Sequence, residues 1–260
     1  MGVPRLIGGV ALLALILGGA QAAAEAPKVA SFTIEGAEFM AKTDDGKVLR
    51  SKDLAGAQLD TIFDEKPAVM RIASVEPDPK DRSGRLWLHT LEVRQPDGSW
   101  ENPCSADSDG RRQGFPLGKS PAGLDFTCTS GAIGHCVRLG YWPWTNGPDG
   151  KPLEPVHAAC SRLVRADYGG DDEVNARRDV PVDLADALGI RSFGADAALI
   201  FEAGWSPEGA VCVHHLRTKG ALSMAELVQR YPQLQGRTGA VCTQDFARSK
   251  GAVLFSRSRP

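Results

Sequence analysis

The sequence has no C-x2-C or H-x3-H pair, no G-x-S-x-G elbow, no P-loop and no glycine-rich dinucleotide fingerprint. These absences exclude the common zinc spacings, the strand–turn–helix serine nucleophile and the phosphate-cradling loops. An excess of charge of one sign is lacking too: 30 Lys and Arg stand against 32 Asp and Glu, a net charge of −2. A balanced chain carries no electrostatic footprint for nucleic acid, which needs clustered cations. Past residue 19 no apolar run approaches the roughly 20 residues that a bilayer-spanning helix needs. The first hundred residues contain no cysteine, and aromatics are only 7% of the chain, so the cluster Tyr141-Trp142-Pro143-Trp144 stands out.

What is present begins with an export signal. Met1 to Arg5 carries one positive charge, Leu6 to Gly19 is apolar, and Ala20-Gln21-Ala22 is a small-x-small cleavage site. That order reads as a secretory signal peptide over residues 1–22. The apolar run, at about 14 residues, is short for a retained membrane anchor. No cysteine stands at the cleavage site for lipid attachment. The expectation is an exported chain, periplasmic or secreted, with no stable membrane insertion once the signal is removed. Six cysteines follow: Cys104, Cys128, Cys136, Cys160, Cys212 and Cys242. An even number in an oxidising compartment reads as disulfides, although six cysteines allow 15 pairings and the sequence alone does not choose among them.

Residues 28–100 read as a small β-rich N-terminal module. Ser31 to Glu35 alternates in polarity, and Ala68 to Ala73 and Leu86 to Arg94 are further strands. Turn chemistry punctuates them at D-D-G (44–46), D-P-K-D-R-S-G (78–84) and P-D-G (96–98). In the third strand Trp87, His89, Leu91 and Val93 share one face, so His89 reads as a half-buried, hydrogen-bonded histidine and not as a ligand. Residues 101–250 mix helix and strand. Ser130 suits the start of a short helix with Ile133, Cys136, Val137 and Gly140 at helical spacing. Pro155 suits the first turn of a second helix, predicted to run to about Tyr168 and stop at Gly169. Ala198–Trp205 and Ala210–Leu216 flank S-P-E-G (206–209) as a hairpin, and Leu222–Leu234 reads as a last helix begun by Ser223. The sum is an α+β fold: the β module followed by a disulfide-bonded mixed α/β domain.

Three strings in this second part, FTCTSGAIGHCVRLGYWPW (126–144), HAACSRLVRADYGGD (157–171) and FEAGWSPEGAVC (201–212), resemble the bacterial ADYC-domain family over roughly residues 100 to 245. The motif that names the family is Ala-Asp-Tyr-Cys. Here Arg165 precedes Ala166-Asp167-Tyr168, and Gly169 stands where the cysteine belongs. The resemblance implies an exported protein and supplies no reaction or substrate. Gly169 closes any mechanism that needs a thiol at that place. If the family's cysteine is a bridge partner, that bridge is absent or re-paired in this chain. The even count of six favours a structural role for it, since no cysteine need be left over.

At about 100° per residue, Val156, Cys160, Leu163 and Asp167 fall in one helical stripe, with Arg162 and Arg165 on the far side. Asp167 is then a carboxylate at the centre of a buried face, near the negative end of the helix dipole. In a structural reading it accepts bonds from loop N–H groups or an arginine and locks the chain after the helix. In a functional reading its pKa is raised and it acts as acid, base or ligand, with His157, His135 or His214 brought alongside by the fold. Asp167 and His157 are the best catalytic candidates. Asp171, Asp172 and Glu173, and the run Ser105-x-Asp107-x-Asp109-Gly110, invite a calcium reading. Calcium wants six to eight oxygens, however, and Pro116 stands where a bidentate Glu belongs. Both runs read as solvated turns, and no metal or cofactor is indicated. His214 and His215 are adjacent in a predicted strand, so they should point to opposite faces and cannot chelate together. Tyr141, Trp142 and Trp144 read as core packing, with an exposed platform for a sugar or peptide as the alternative.

The pairing favoured here is Cys136–Cys160, joining two helices that the 141–154 connection folds antiparallel; Cys104–Cys128 and Cys212–Cys242 are then the local choices. The sequence reading is an exported bacterial protein of the envelope or exterior, a non-catalytic binding or structural protein of unknown partner. The alternative is a hydrolase-like enzyme centred on Asp167 with a nearby histidine.

Overall fold

The computed structural model describes residues 29–259 except 64–65, 82, 121–122, 177–179 and 219–221, so the expected signal peptide lies outside the described residues. The chain forms two compact units, Met1–Arg138 and Leu139–Pro260.

In the first unit β1 (Val29–Glu35), β2 (Glu38–Thr43) and β3 (Val48–Arg50) form a three-stranded antiparallel sheet. A second sheet runs in the order β4 (Gln58–Phe63), β5 (Lys66–Pro77), β6 (Trp87–Arg94), β8 (Gly114–Ser120), β9 (Gly123–Cys128), with β7 (Trp100–Glu101) also pairing with β6. Helix α1 (Ala132–Arg138) closes the unit. Alternation sorts the side chains: Phe39, Ala41 and Thr43 of β2 turn inward, as do His89, Leu91 and Val93 of β6. Of these, Phe39, Ala41 and Leu91 meet Ile34, Leu54, Leu59, Met70 and Ile72 in one core. Each such aliphatic or aromatic side chain contributes about 1.5–3 kcal/mol when fully buried. The Cys104–Cys128 disulfide anchors the far end of β9 to the segment after β7, across a sequence separation of 24.

The second unit contains α2 (Glu154–Arg165), β10 (Val182–Asp186), β11 (Ile200–Ser206), β12 (Gly209–Val213), α3 (Met224–Arg230), α4 (Gln244–Ser249) and β13 (Leu254–Ser258). Its sheet runs β10-β13-β11-β12, antiparallel throughout. The last strand in sequence thus lies between β10 and β11. The hairpin expected at S-P-E-G is β11–β12, with Ser206 opposite Gly209. Cys212–Cys242 ties β12 to the turn before α4 and packs with Ala247, Ala252 and Phe255. Cys136 and Cys160 are disulfide-bonded as well, and no cysteine is free.

Two helix boundaries differ from the sequence reading. The helix expected over Leu222–Leu234 is α3 followed by a separate 3-10 turn, Pro232–Leu234. Ser223 and Glu226 cap its start reciprocally. Pro232 then ends it, because the ring removes an N–H and clashes with the preceding turn. Helix α2 stops at Arg165, not near Tyr168, and its left-handed cap is Ala166 (φ 51°, ψ 42°), not Gly169. No helix among the described residues is long and apolar enough to cross a membrane.

Candidate functional site

The motif residues lie in the turn after α2. The N–H of Ala166 bonds to the Leu163 carbonyl and that of Asp167 to the Arg162 carbonyl, so the last turn is closed before the chain reverses. Asp167 therefore stands just past the helix. It is inward for a different reason than its helical phase: the left-handed step at Ala166 turns it under the following loop. Its fully buried carboxylate accepts the N–H groups of Gly170 (2.8 Å) and Asp171 (3.2 Å) on Oδ1. Oδ2 accepts from Asp172 N–H (3.0 Å) and from Arg162 Nη1 (2.5 Å). Arg162 is thus not turned to the far side, as the helical wheel had it. Its long side chain follows the loop and also reaches the Pro207 carbonyl at 3.2 Å. Four donors, one of them charged, meet the desolvation of a buried carboxylate.

Asp171 and Asp172 are exposed, as expected, but neither is an idle solvated acid. Asp172 (φ 68°) pairs with Arg162 at 2.7 Å and Arg165 at 3.0 Å. Asp171 accepts from the Tyr231 hydroxyl at 3.0 Å, and Glu173 shares that proton at 3.1 Å. Arg230 adds an ion pair to Glu173 at 2.6 Å.

The Tyr231 ring covers the motif's fourth position. A Cβ at Gly169 would sit 2.1 Å from Tyr231 Cε1 and 2.2 Å from Cζ, far inside contact distance. Next to it, Gly170 (φ 76°) brings its backbone so close to the β11–β12 turn that a Cβ would lie 1.9 Å from the Glu208 carbonyl oxygen. The loop is thereby laid backbone to backbone on the hairpin, sealed by the hydrogen bond from Ala210 N–H to the Tyr168 carbonyl at 3.0 Å.

Tyr168 points the other way, into the unit, stacked on Trp205 with ring centroids 5.3 Å apart. Its hydroxyl donates to Glu202 Oε1 at 3.0 Å and accepts the Arg217 N–H at 3.0 Å. Arg217 Nε lies 3.1 Å from both oxygens of Glu202. Burial, reinforced by the Glu202 charge, pushes the Tyr168 phenol well above the ordinary range. Glu202, Arg217 and Tyr231 were not singled out in the sequence. Glu202 left a trace there, as the one charged residue in an otherwise apolar strand, F-E-A-G-W.

None of the four hydrogen bonds to the Asp167 carboxylate comes from a histidine. His157 is buried in the first turn of α2, eight residues before the helix ends, which at 1.5 Å per residue is about 12 Å away. His214 and His215 fall in a bend after β12, not within a strand, and so do not point to opposite faces. Their rings meet edge to face, with centroids 5.7 Å apart. His89 is fully buried beside Phe39, with Nδ1 3.4 Å from the Gly114 carbonyl. Burial lowers its pKa to about 4.

The run that resembled a calcium loop is filled by cations of the chain itself. Arg138 of α1 reaches Asp107 at 2.9 Å and clamps Asp78 at 2.7 and 2.9 Å, while Lys80 holds Asp109 at 2.6 Å. Burial works against ionisation of Asp107, but the Arg111 N–H and the Arg138 charge outweigh it and hold the pKa down. Among the described residues no group of three or more His, Cys, Asp or Glu is placed to hold a metal ion. Of the aromatic cluster, Tyr141 is buried and donates to Asp186 at 2.9 Å. Trp142 and Trp144 stack on each other, half-buried.

Taken together, the folds of the two units and the loop at Asp167 define a disulfide-bonded α+β protein in which the most distinctive residues lock one turn against a hairpin. Residues 51–219 match the family model of the ADYC domain, and the chain belongs to that family. No curated protein and no solved structure matches it.

Proposed function

We propose that this is an exported bacterial protein that acts by binding or as a structural component of the envelope or exterior, with no chemistry carried by its ADYG motif. One observation carries the reading: the four donors on Asp167 leave no lone pair open to a substrate proton. A general base must lie within hydrogen-bond reach of the proton it removes. With all six cysteines in disulfides, no thiolate is at hand either. Those disulfides favour an oxidising compartment, in keeping with the signal-like first 22 residues. The competing hydrolase reading is left without an open carboxylate.

The test is Asp167→Asn, followed by thermal melting and by turnover of generic ester, peptide and glycoside substrates. A lower melting temperature, with no turnover in either protein, is expected. A wild type that turns over substrate, and an equally stable variant that does not, would overturn the reading. Export is checked separately: N-terminal sequencing of protein recovered outside the cytoplasm should begin at Ala23.

A further inference from the structure

Besides the motif loop, the second unit holds a buried cluster of titratable side chains around Glu202. The Glu202 carboxylate is fully buried and is held by Tyr168 and Arg217, and the Glu202 carbonyl accepts the His214 N–H at 2.6 Å. His215 follows, its Nε2 3.0 Å from Ser258 Oγ on β13. The Nδ1 atoms of His214 and His215 are both buried without a hydrogen-bond partner.

We propose that residues 214–217 form an acid-sensitive latch, which lets go of Glu202 and Tyr168 when His215 takes up a proton. The neutral ring fits its place: with the proton on Nε2 it bonds to Ser258, and Nδ1 presents only a lone pair. A second proton puts an N–H at Nδ1, which is buried and makes no hydrogen bond in the fold; the Phe201 carbonyl facing the ring offsets only part of the cost of that donor. The charge balance works the same way. The groups facing the ring are Glu202 and the Phe201 carbonyl from β11, Ser258 from β13, and His214 and Arg217 from its own segment. Glu202 is the single anion among them, and the Arg217 guanidinium already neutralises it. A protonated His215 would make a second cation beside one carboxylate.

Burial, the largest influence, holds His215 below the usual histidine range; Glu202 and the Phe201 carbonyl pull against this, while His214 and Arg217 add to it. A depressed histidine gives stability that is complete above the unfolded value near 6.5 and is lost as pH falls below it. Swinging the segment out hydrates the imidazolium, at the expense of the Arg217 bonds to Glu202 and to the Tyr168 hydroxyl. Because those bonds are local, β11 and β13 can remain paired while the latch opens.

The test is amide hydrogen exchange on the full chain with its disulfides intact, at pH 7.5 and 5.5, corrected for intrinsic exchange rates. Protection of residues 214–217 is expected to fall about fivefold or more at pH 5.5 while β11 and β13 keep theirs. His215→Gln is expected to abolish the difference. Equal protection of the wild type at both pH values, loss in step with β11 and β13, or the same loss in His215→Gln overturns the proposal. Should that variant fail to fold, NMR titration of His215 in the wild type decides: a pKa clearly below about 6.5 supports the latch, and one at or above it overturns it.

Discussion

At the scale of single residues, Asp167 belongs to a device that the chain uses repeatedly. Asp81 accepts the N–H groups of Ser83, Arg85 and Leu86, and Asp186 those of Leu188, Ile190 and Arg191. A carboxylate that gathers three loop N–H groups fixes a turn that has no ladder partner. Asp167 differs in its complete burial and its arginine. Asp167→Asn would turn an NH2 group toward N–H donors, and a loss of about 3 kcal/mol is expected in urea unfolding. Gly169 gives a second expectation. Restoring the family residue, Gly169→Cys, forces the side chain into the Tyr231 ring and should cost about 1–3 kcal/mol, the range for overpacking. In Gly169→Cys/Tyr231→Ala the combined loss should be less than the sum of the separate losses; strict additivity would mean the ring does not occupy the cysteine's place. That Asp167 faces inward was legible in the sequence, although through a helical phase that ends two residues too soon. The Gly169–Tyr231 fit was not, because nothing local ties a glycine after one helix to a tyrosine after another.

At the scale of elements, boundaries followed local chemistry wherever that chemistry was strong. Pro155 opens α2, Ser223 with Glu226 caps α3, and Pro232 stops it. Among the elements that escaped is β13: Leu254–Ser258 reads locally as a mixed polar tail, yet it pairs with β10 on one side and β11 on the other. Four of its five residues are buried. A chain ended after Lys250 would leave two strands without their shared partner, so loss of cooperative unfolding in the second unit is expected, seen as rapid proteolysis around β10 and β11. Helix α4 presses on the same sheet, where a Cβ at Gly204 would lie 2.3 Å from Ala247 Cβ. Gly204→Ala should therefore lower the melting temperature even though alanine suits a strand no worse than glycine.

At the scale of the whole molecule, the balance of charge hides how many charges are buried. Glu202 with Arg217 and Asp78 with Arg138 are ion pairs almost closed to solvent. Such pairs are worth little against an apolar substitute, but removing one partner is strongly destabilising. Acid stability separates into two windows. His89, with a folded pKa of about 4 against 6.5 unfolded, contributes stability that is full above 6.5 and lost as pH falls toward 4. That amounts to on the order of 3 kcal/mol. The depressed carboxylates Asp81 and Asp107 contribute stability present above their unfolded value of 3.8 and lost only below it. Urea unfolding of the first unit, followed by amide protection of β5 and β6, should therefore weaken between pH 7 and 4.5 in the wild type. In His89→Leu it should change little over that range; an equal decline in both proteins would assign the effect to other groups.

The sequence by itself determined the α+β class, three strands of the first unit, the starts of three helices, the use of all six cysteines in disulfides and the inward turn of Asp167. Each follows from a local pattern: alternation, capping chemistry, or the count of a residue with one dominant use. Only the tertiary structure decided that β13 lies inside its sheet, that Tyr231 covers Gly169, that Arg162 bends back to Asp167, and that two histidines meet beside Glu202. These depend on which distant segments approach one another, and a single chain of letters carries no distance between residues that pack together only after folding.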